Sequence, residues 1–464
     1  MNTDVHYRLL VSAAALALNV SLAAAQPARK AEGARTPSPA AWTRHSVIYE
    51  VNVRQYTPEG TFAAAQQHLR QLHDLGIDLL WVMPIQPIGK VSRKGLLGSP
   101  YSISDYRAVN AEYGTLADFK SFVLAAHALG IKVILDWVPN HTAFDHAWIT
   151  QHPDWYVHRK DGSISYALDG EHKETDWTDV AALNYDNRDM RKAMLADMKY
   201  WLDAAHIDGF RCDVAGGPPV DFWIDARRLL GTVHPGLFML AEAEGPQFYP
   251  SFDMTYGWEF HHLLNELAQK KQPTSALDTY FAKQDKTYPA DAYRMYFTSN
   301  HDENSWNGSE FERMGENHLP AYILSATIRS GMPLLYSGQE VSLRKRLRFF
   351  EKDTVDWKGP SLASFYTTVF RLKHSQAALA NGSWGGVQTV LNTDGGDRVY
   401  AFSRTRGKNT VLVAVNFSDA NARASYTGFA RPGAYRDWFA KSSSILGATG
   451  RIDIPAHGYR VLVR

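Results

Sequence analysis

The chain has 464 residues, 45% of them hydrophobic, and its 49 basic and 48 acidic side chains give a formal net charge of +1. This length allows a large core and two or three domains. The balanced charge argues against a nucleic-acid partner, and no block of Lys and Arg marks a membrane-surface patch. The single cysteine, Cys212, excludes an internal disulfide.

The first residues have the pattern of a secretory signal peptide. Arg8 supplies the positive charge, residues 9–22 form an apolar stretch, and the alanines at 23–25 resemble a cleavage site. We therefore predict a signal peptide over residues 1–25 and a flexible leader, rich in Pro and Ala, over residues 26–41. The apolar stretch is too short to span a bilayer, so we expect no membrane span after signal removal. The predicted location is periplasmic or extracellular.

Strand-like and helix-like patterns alternate after residue 42. A capping box at Thr115 and Asp118 begins one of the helices, and Gly130 follows its end. Eight strand candidates that mostly alternate with helices predict an α/β fold with a parallel sheet, most simply a closed (β/α)₈ TIM barrel. The predicted strands cover residues 47–53, 79–84, 133–138, 209–214, 237–242, 252–255, 296–300 and 333–337. The predicted helices cover residues 62–75, 115–129, 190–206, 219–230, 258–270 and 319–330.

The alternation is interrupted once and ends near residue 380. Residues 139–189 are polar, aromatic and irregular, too long for an ordinary connection, and predict an inserted subdomain after the third strand. The barrel with this insertion is expected over residues 42–380. Residues 381–464 contain short strands between Gly, Asn and Asp turns and predict a C-terminal antiparallel β-sandwich domain. Its predicted strands cover residues 387–390, 398–403, 410–416 and 458–463.

Two charged residues stand at the end of the fourth predicted strand. Arg211 and Asp213 are two residues apart, so they point to the same side of an otherwise apolar strand. Burying these charges is costly unless they pair and face a cleft. In that arrangement, the guanidinium lowers the pKa of Asp213 and keeps this carboxylate ionised at neutral pH. By itself, the pair is equally consistent with a structural ion pair.

Other strand ends also carry polar side chains, and the carboxyl ends of (β/α)₈-barrel strands meet at the active site. Three or more acids at one mouth repel one another, which favours a functional role over a structural one. Glycoside hydrolysis requires two carboxyl groups with different pKa values, one protonated acid and one ionised nucleophile or base. The polar residues at strand ends are Asp136, Asn140, His141, Arg211, Asp213, Glu242, His301 and Asp302.

Four short strings resemble, in the same order, the four signature regions of the α-amylase family of retaining glycoside hydrolases (glycoside hydrolase family 13). They are Asp-Trp-Val-Pro-Asn-His at 136–141, Gly-Phe-Arg-Cys-Asp at 209–213, Leu-Ala-Glu at 240–242 and Asn-His-Asp at 300–302. Supporting strings lie at 47–50, 98–101, 105–106 and 331–333. The resemblance extends over residues 42–380, and the β-rich tail matches the family's usual C-terminal domain.

The resemblance implies a role for each matched acid. Asp213 would be the nucleophile that forms a covalent β-glycosyl intermediate. Glu242 would be the general acid and then the base that activates water, and the apolar residues before it favour a raised pKa. Asp302 would hold ring hydroxyls and help to distort the sugar. Glu244, two residues beyond Glu242, remains a rival for the general acid.

Further positions match residues that bind the sugar at the cleavage site. Asp136, His141 and His301 would bind its hydroxyls. Tyr101 would stack on its face, and Arg211 completes the set. The implied partner is an α-glucan, and the implied activity is retaining cleavage of α-1,4-glucosidic bonds in starch, glycogen or maltodextrins by an exported enzyme, which we expect to be a monomer.

Two departures from the family pattern limit what the resemblance implies. Relatives often carry Lys or His four residues after the nucleophile, on the leaving-group side, whereas this chain has Gly217. Many relatives also bind a structural Ca²⁺ through the residue matching Asn140 and an acid at a position where this chain has Ala182. Calcium needs six to eight oxygens, and Asp179 is the nearby acid that could replace the missing one. Asn140 and Asp179 are therefore the candidate metal ligands, and the chemistry itself requires no cofactor.

Two alternatives remain open. A transglycosylase or isomerase of the same family would pass the sugar to another sugar, a choice set by whether water or an acceptor is better placed. A non-catalytic glucan-binding protein would have no reason to keep three costly buried acids. A metal-dependent hydrolase on the same barrel is set aside, because it would need clustered histidines where the first strand is followed by Asn52 and Arg54.

Overall fold

The computed structural model describes residues 40–464. The predicted signal peptide at 1–25 lies outside the described residues, and so does the predicted leader apart from its last two residues. Within the described part of the chain, no helix is both long enough and apolar enough to cross a membrane.

The described residues form strands and helices with the following bounds. The strands are β1 (Ile48–Val51), β2 (Leu79–Val82), β3 (Lys132–Trp137), β4 (His141–Ala143), β5 (Val180–Ala182), β6 (Gly209–Cys212), β7 (Phe238–Ala241), β8 (Met254–Tyr256), β9 (Arg294–Tyr296), β10 (Gly331–Tyr336), β11 (Val387–Val390), β12 (Asn392–Thr393), β13 (Val399–Arg406), β14 (Asn409–Asn416), β15 (Ala422–Thr427), β16 (Gly433–Asp437), β17 (Ser443–Leu446), β18 (Gly450–Ile454) and β19 (Gly458–Val463). The α-helices are α1 (Val53–Tyr56), α2 (Phe62–Gln66), α3 (Leu69–Leu75), α4 (Leu116–Ala128), α5 (Ala147–Gln151), α6 (Arg188–Ala205), α7 (Val220–Val233), α8 (Trp258–Ala268), α9 (Ala276–Thr287), α10 (Glu310–Met314), α11 (His318–Thr327) and α12 (Ala363–Ser375).

Eight of these strands form a closed barrel in the order β1-β10-β9-β8-β7-β6-β3-β2. All neighbouring strands run parallel. A cluster of fully buried apolar side chains, among them Trp81, Phe238 and Met254, packs within it. Helices alternate with the strands because the outer faces of a parallel sheet must also be covered. The predicted (β/α)₈ barrel is thus confirmed.

The seventh predicted strand, at 296–300, is wrong in its position. The corresponding barrel strand is β9, which pairs with its two neighbours only from Arg294 to Tyr296. Residues 297–300 are buried nonetheless. The sequence of these residues therefore reflects their burial in the barrel mouth and not pairing with another strand.

Helix boundaries follow local signals. The predicted helix at 62–75 is divided into α2 and α3, and it ends at Gly76, whose φ of +103° is a conformation that glycine adopts without strain. Thr115 and Asp118 exchange side-chain and backbone hydrogen bonds, which confirms the capping box of α4. Helices α9 and α12 are the two longest helices that lie outside the predicted set.

The segment at 139–189 contributes a small two-stranded sheet beside the barrel mouth. β4 and β5 pair antiparallel, with His141 opposite Ala182. Trp177, shortly before β5, and Val180, the first residue of β5, line the cleft above the barrel. The insertion therefore forms one wall of this cleft.

The C-terminal strands form two antiparallel sheets around a shared apolar core. One sheet has the order β11-β13-β14-β19-β16-β17 and the other the order β12-β15-β18. Leu412 and Leu462 of the first sheet pack in one cluster with Tyr426 and Ile452 of the second. This packing confirms the predicted β-sandwich.

Polar contacts join the sandwich to the barrel helices. The Tyr400 hydroxyl donates to Asp278 at 2.8 Å, and Asn317 Nδ2 donates to the carbonyl of Phe417 at 3.3 Å. The buried guanidinium of Arg404 donates to the carbonyl of Thr327 at 3.2 Å, at the C-terminus of α11. A cation is favourable at this end of a helix, so Arg404 links the two parts of the fold.

Gly209, the first residue of β6, tests how closely the barrel strands are packed. A Cβ at this position would lie 1.8 Å from the carbonyl oxygen of Phe238. We expect Gly209→Ala to lower the free energy of unfolding by about 3 kcal/mol or more, measured by urea denaturation. Gly231→Ala is the matched control, because Gly231 lies in α7 with no neighbour within 4 Å of the added atom. This control should raise the free energy of unfolding by about 0.5–1 kcal/mol, and equal effects of the two substitutions would contradict the structure.

Candidate active site

The carboxyl ends of the barrel strands open into a cleft of about 1110 Å³. The predicted site residues that line this cleft are Tyr101, His141, Asp213, Glu242, His301 and Asp302. Asp136 and Arg211, both 0% exposed, lie beneath its floor. Asp179 also lines the cleft, whereas Asn140 is not among its lining residues. The structure thus brings together the acids that the sequence placed at separate strand ends.

A single buried guanidinium joins three carboxylates beneath the cleft. Arg211 Nη1 donates to Asp136 Oδ1 and to Asp213 Oδ1, each at 2.9 Å. Its Nη2 lies 2.7 Å from Oε1 of Glu242, without the alignment of a hydrogen bond. Strand register explains this convergence, because Arg211 pairs with Asp136 on one side and with Leu240, two residues before Glu242, on the other.

Contacts with aromatic rings offset part of the hydration energy that the Arg211 guanidinium loses on burial. Its Cζ lies 4.9 Å from the ring centroid of Trp81, 5.7 Å from that of Tyr101 and 5.5 Å from that of Tyr256. Nε also donates to the Tyr256 hydroxyl at 3.0 Å. A delocalised guanidinium is weakly hydrated and is attracted to aromatic faces, so it tolerates burial better than an ammonium group.

The pKa of Asp213 differs from the prediction. Burial raises the pKa of Asp213 to about 6 and outweighs the lowering by the Arg211 cation, while the Asp136 carboxylate adds to the rise. The prediction is therefore right for the contact with Arg211 and wrong for the net direction. Because the raised pKa still lies below 7, Asp213 is mostly ionised at neutral pH.

Glu242 comes directly after β7, and its side chain is 15% exposed. Burial raises the pKa of Glu242 to about 8. The Arg211 cation opposes this rise, and the Asp213 and Asp302 carboxylates add to it. Oε2 accepts a hydrogen bond from the backbone N–H of Val214 at 2.8 Å, which fixes one edge of the carboxyl group. The predicted rise in the pKa of Glu242 is confirmed, and in most molecules this carboxyl group is protonated at neutral pH.

The rival acid, Glu244, has a different partner. Its two carboxyl oxygens each accept from the backbone N–H of Glu259 at 3.2 Å. Glu259 lies in the first turn of α8, where the helix dipole favours a negative charge. Glu244 therefore caps a helix at the edge of the cleft, while Glu242 contacts the central guanidinium.

A chain of hydrogen bonds connects Glu50, on β1, to the central cluster. Glu50 Oε1 accepts from His301 Nδ1 at 2.5 Å, and His301 Nε2 lies 2.8 Å from the Tyr101 hydroxyl, which donates to Asp136 Oδ2 at 3.0 Å. Burial would lower the pKa of His301, but the carboxylates of Asp302 and Glu50 outweigh it and raise this pKa to about 9. His301 is therefore protonated at neutral pH and donates from both ring nitrogens.

The remaining lining residues differ in charge and exposure. Burial lowers the pKa of His141 to about 4, so this imidazole is neutral and can both donate and accept. The Asp302 side chain is 34% exposed, and its Oδ2 lies 3.3 Å from His301 Nε2. Asp302 is therefore the most open of the three acids, since the Asp213 side chain is only 10% exposed.

The two candidate calcium ligands have other partners. Asp179 Oδ1 lies 3.5 Å from Lys94 Nζ, so an ammonium group already faces this carboxylate. Asn140 Nδ2 donates to the carbonyl of Leu168 at 2.8 Å. Between residues 40 and 464, no cluster of three or more His, Cys, Asp or Glu side chains could hold a metal ion. These contacts do not supply the oxygen-rich shell that calcium needs, and calcium binding stays a prediction.

Gly217 lies directly against Asn140. A Cβ at position 217 would be 2.1 Å from Asn140 Oδ1 and 2.9 Å from its Cγ. No side chain can therefore stand at position 217 while Asn140 keeps this position. On this side of the cleft, the chain presents Gly216 and Pro218 to the cleft instead of a cation.

Several residues of the site were not predicted from the sequence. Glu50 gave a usable signal, since it is a charged residue within an otherwise apolar strand. Trp81 and Tyr256, which contact Arg211, gave none, because aromatic residues are as common in ordinary cores. Trp306, 54% exposed at the rim of the cleft, likewise had no local pattern to distinguish it.

Comparison with known proteins agrees with this fold and site. The sequence profile described as the alpha-amylase catalytic domain matches residues 32–359, and that of the alpha-amylase C-terminal all-beta domain matches residues 390–460. The matched regions contain the (β/α)₈ barrel with its acidic cleft and most of the C-terminal β-sandwich. The chain belongs to the alpha-amylase family.

Individual relatives differ in the activity that their names state. Alpha-amylase MalA of Haloarcula japonica is 29% identical over 402 residues, which are 83% of this chain and 57% of that protein. The alpha-1,4-glucan:maltose-1-phosphate maltosyltransferase of Salinibacter ruber is 28% identical over 405 residues, 79% of this chain and 58% of that protein. The chain thus spans less than two thirds of the length of these relatives. The crystal structure of the maltogenic alpha-amylase AmyB from Thermotoga neapolitana superposes with a TM-score of 0.82 at 27% identity, covering 90% of this chain and 98% of that one.

The role of Glu50 can be tested on the pKa of His301. We expect Glu50→Gln to lower the pKa of His301 by about 1 or more, because it removes a buried negative charge in contact with the imidazolium. Titration of the His301 imidazole by NMR, with its resonance assigned from a His301→Gln variant, measures this change.

Glu340→Gln is the matched control for this experiment. Glu340 is another fully buried glutamate, and it accepts a hydrogen bond from Tyr49, the residue before Glu50. We expect this control to leave the pKa of His301 unchanged. Equal pKa values of His301 in the wild-type protein and in Glu50→Gln would contradict the charge pairing.

Proposed function

We propose that the chain is a retaining glycoside hydrolase of the α-amylase type that cleaves α-1,4-glucosidic bonds in starch, glycogen or maltodextrins. The observation that carries this proposal is the contact of Asp213 and Glu242 with the same Arg211 guanidinium. One of these acids is mostly ionised at neutral pH and the other is mostly protonated, for the reasons given above. This is the division of roles that glycoside hydrolysis needs.

The closeness of the two acids supports retention of anomeric configuration. The carboxyl groups of Asp213 and Glu242 contact the two terminal nitrogens of one guanidinium, at 2.9 and 2.7 Å. Retaining enzymes place these groups about 5–5.5 Å apart, whereas inverting enzymes leave a wider gap that holds a water molecule. The shared guanidinium holds the two carboxyl groups close together, which favours retention.

In the proposed reaction, an Asp213 oxygen attacks C1 of the sugar while Glu242 gives its proton to the glycosidic oxygen, which leaves with the rest of the chain. The resulting ester between Asp213 and the sugar is hydrolysed when Glu242, now ionised, takes a proton from water and the hydroxide oxygen bonds to C1. His301 and Asp302, together on one side of the cleft, would bind ring hydroxyls. Tyr101, held by His301 and Asp136, would offer its ring to the sugar.

Transfer to another sugar instead of water is the second candidate reaction. The observation that favours it is the similarity to proteins named maltosyltransferases, such as the Salinibacter ruber relative. The leaving-group side, with Gly216 and Pro218, leaves space in which an acceptor sugar could compete with water.

Export to the periplasm or the medium and a monomeric state are part of the main proposal.

The hydrolytic role of Asp213 can be tested with maltoheptaose. We expect the wild-type protein to give shorter maltodextrins, released in the α-configuration as observed by NMR. Asp213→Asn should lower this rate by at least about 10³-fold, because the amide is a poor nucleophile. Asp253→Asn is the matched control, since Asp253 is a buried aspartate paired with Arg227 at 2.7 Å and does not line the cleft.

Each other outcome of this experiment has a definite meaning. Products longer than maltoheptaose would move the proposal to transglycosylation. Products first released in the β-configuration would exclude retention. If the wild-type protein binds maltoheptaose and leaves it intact, the chain is a glucan-binding protein and the hydrolytic proposal is wrong.

The two raised pKa values predict the pH dependence of the proposed reaction. With Asp213 acting ionised and Glu242 protonated, kcat/KM should rise through pH 6 and fall through pH 8, and its maximum should lie between these values. Measurement of kcat/KM from pH 4 to pH 10 checks this bell shape. With α-maltosyl fluoride, whose leaving group needs no proton, the alkaline fall should weaken. A maximum below pH 5 would contradict the burial of the two acids.

A further inference from the structure

His301 and Asp302, which would bind ring hydroxyls, lie beyond the end of a barrel strand. Strand β9 pairs with its neighbours only as far as Tyr296, and a buried segment, residues 297–300, connects it to these two residues. Strand pairing therefore does not fix where the two side chains lie. Contacts made by other side chains must do so.

Arg313, in α10, contacts the chain on both sides of Asp302. Its Nη2 donates to the carbonyl of Thr298 at 2.6 Å, and its Nε donates to the carbonyl of Gly308 at 2.9 Å. Its Nη1 donates to Asn265 Oδ1, on α8, at 2.9 Å. The three nitrogens of one planar guanidinium, whose geometry is rigid, therefore connect the stretch before Asp302, the stretch after it and a helix of the barrel.

The charge of Arg313 is paired with the residue next to Asp302. The Arg313 side chain is only 8% exposed, so its cation needs a nearby negative charge. Glu303 supplies this charge, with Oε2 3.6 Å from Arg313 Nε. Burial would raise the pKa of Glu303, but its contacts with His261 and the Arg313 cation lower this pKa to about 2. Glu303 is therefore ionised at neutral pH.

The turn that begins after Asp302 has an irregular backbone. Residues Glu303–Asn307 form a single π-helical turn, an irregularity that is frequent at functional sites. Asn300 caps this turn, since its Oδ1 accepts from the backbone N–H of Glu303 at 2.8 Å. Asp302 thus lies between the residue that caps the turn and the residue that pairs with the buried guanidinium.

Two further side chains support the buried segment. Gln339, in the loop after β10, donates from Nε2 to Thr298 Oγ1 at 3.0 Å, and its Oε1 accepts from the backbone N–H of Tyr336 at 2.9 Å. His261 Nδ1, on α8, donates to the carbonyl of Phe297 at 3.0 Å. Because these contacts connect the segment to β10 and α8, removal of the guanidinium should shift the segment without unfolding the barrel.

We infer that Arg313 is a positioning residue that fixes the place of Asp302 in the cleft, and with it the hold of this carboxylate on the sugar as the sugar is distorted. The inference rests on the proposed function. Arg313 does not line the cleft, so it acts through the residues on either side of Asp302. An interaction that is stronger in the transition state than in the bound substrate changes kcat rather than binding. The effect of Arg313 therefore belongs in kcat.

A comparison in two backgrounds tests this role. We expect Arg313→Met to lower kcat for α-maltosyl fluoride by about tenfold or more and to change KM less than about twofold, because a small displacement of a catalytic group weakens its contact in the transition state. In the Asp302→Asn protein, the same substitution should lower kcat no further, since it acts through a carboxylate that is already removed. Equal reductions in the two backgrounds, or an unchanged kcat in the first, would overturn the inference.

Arg227→Met is the matched control. Arg227 is a helix arginine in α7 that donates to Asp253 at 2.7 Å and does not line the cleft. Both substitutions should lower the melting temperature, but only Arg313→Met should lower kcat. Arg313→Lys keeps the charge without the three-nitrogen geometry and should show the pattern of Arg313→Met at smaller size. If Arg313→Met does not fold, Arg313→Lys takes its place in the comparison.

Titration of His301 by NMR separates this inference from the proposed function. Burial lowers the pKa of His301, and Asp302 contributes most among the charges that raise it. Loss of a cation alone would raise this pKa, so a fall of about 0.5 or more in Arg313→Met means that a carboxylate has moved away from the imidazole. If the pKa falls but the wild-type protein releases no fluoride, hydrolysis fails and the positioning role stands. An unchanged or higher pKa overturns the positioning role, whether or not the protein is a hydrolase.

Discussion

The structure of the cleft depends on one buried cation. Arg211 is fully buried, and it contacts Asp136, Asp213 and Glu242 from three adjacent barrel strands. Without it, three carboxyl groups would face one another in a medium of low dielectric, where their repulsion is strong. One guanidinium thus makes an acidic active site compatible with a folded barrel. The three contacts are also unequal, because Nη1 makes aligned hydrogen bonds to both aspartates while Nη2 lacks one to Glu242.

The barrel and its acids could be predicted because their signals are local. Buried parallel strands are apolar, so a charged residue such as Asp213 or Glu242 at a strand end interrupts a clear pattern. The net pKa shift of Asp213 could not be predicted in the same way. It depends on burial within the assembled barrel mouth and on the charge of Asp136, which is distant in sequence. A sequence identifies the neighbouring charge, whereas the cost of burial comes from the assembled fold.

Other features lie outside prediction because they arise between loops. Trp306 and Phe349 are 43 positions apart and meet only because the π-helical turn and the loop after β10 are bonded to each other. Strand β9 shows the same limit. Residues 297–300 are buried and their sequence predicts a strand, but the strand itself ends at Tyr296. Glu50 is the contrasting case, because a charge within an apolar strand is visible without knowing its partner, His301.

The close approach of Gly217 to Asn140 makes these two positions mutationally dependent on each other. A side chain at 217 collides with the Asn140 amide, so the effect of a substitution at 217 on stability depends on the residue at 140. A basic residue at position 217 therefore requires the Asn140 side chain to turn away or to be replaced. The effects of substitutions at the two positions are expected to be non-additive.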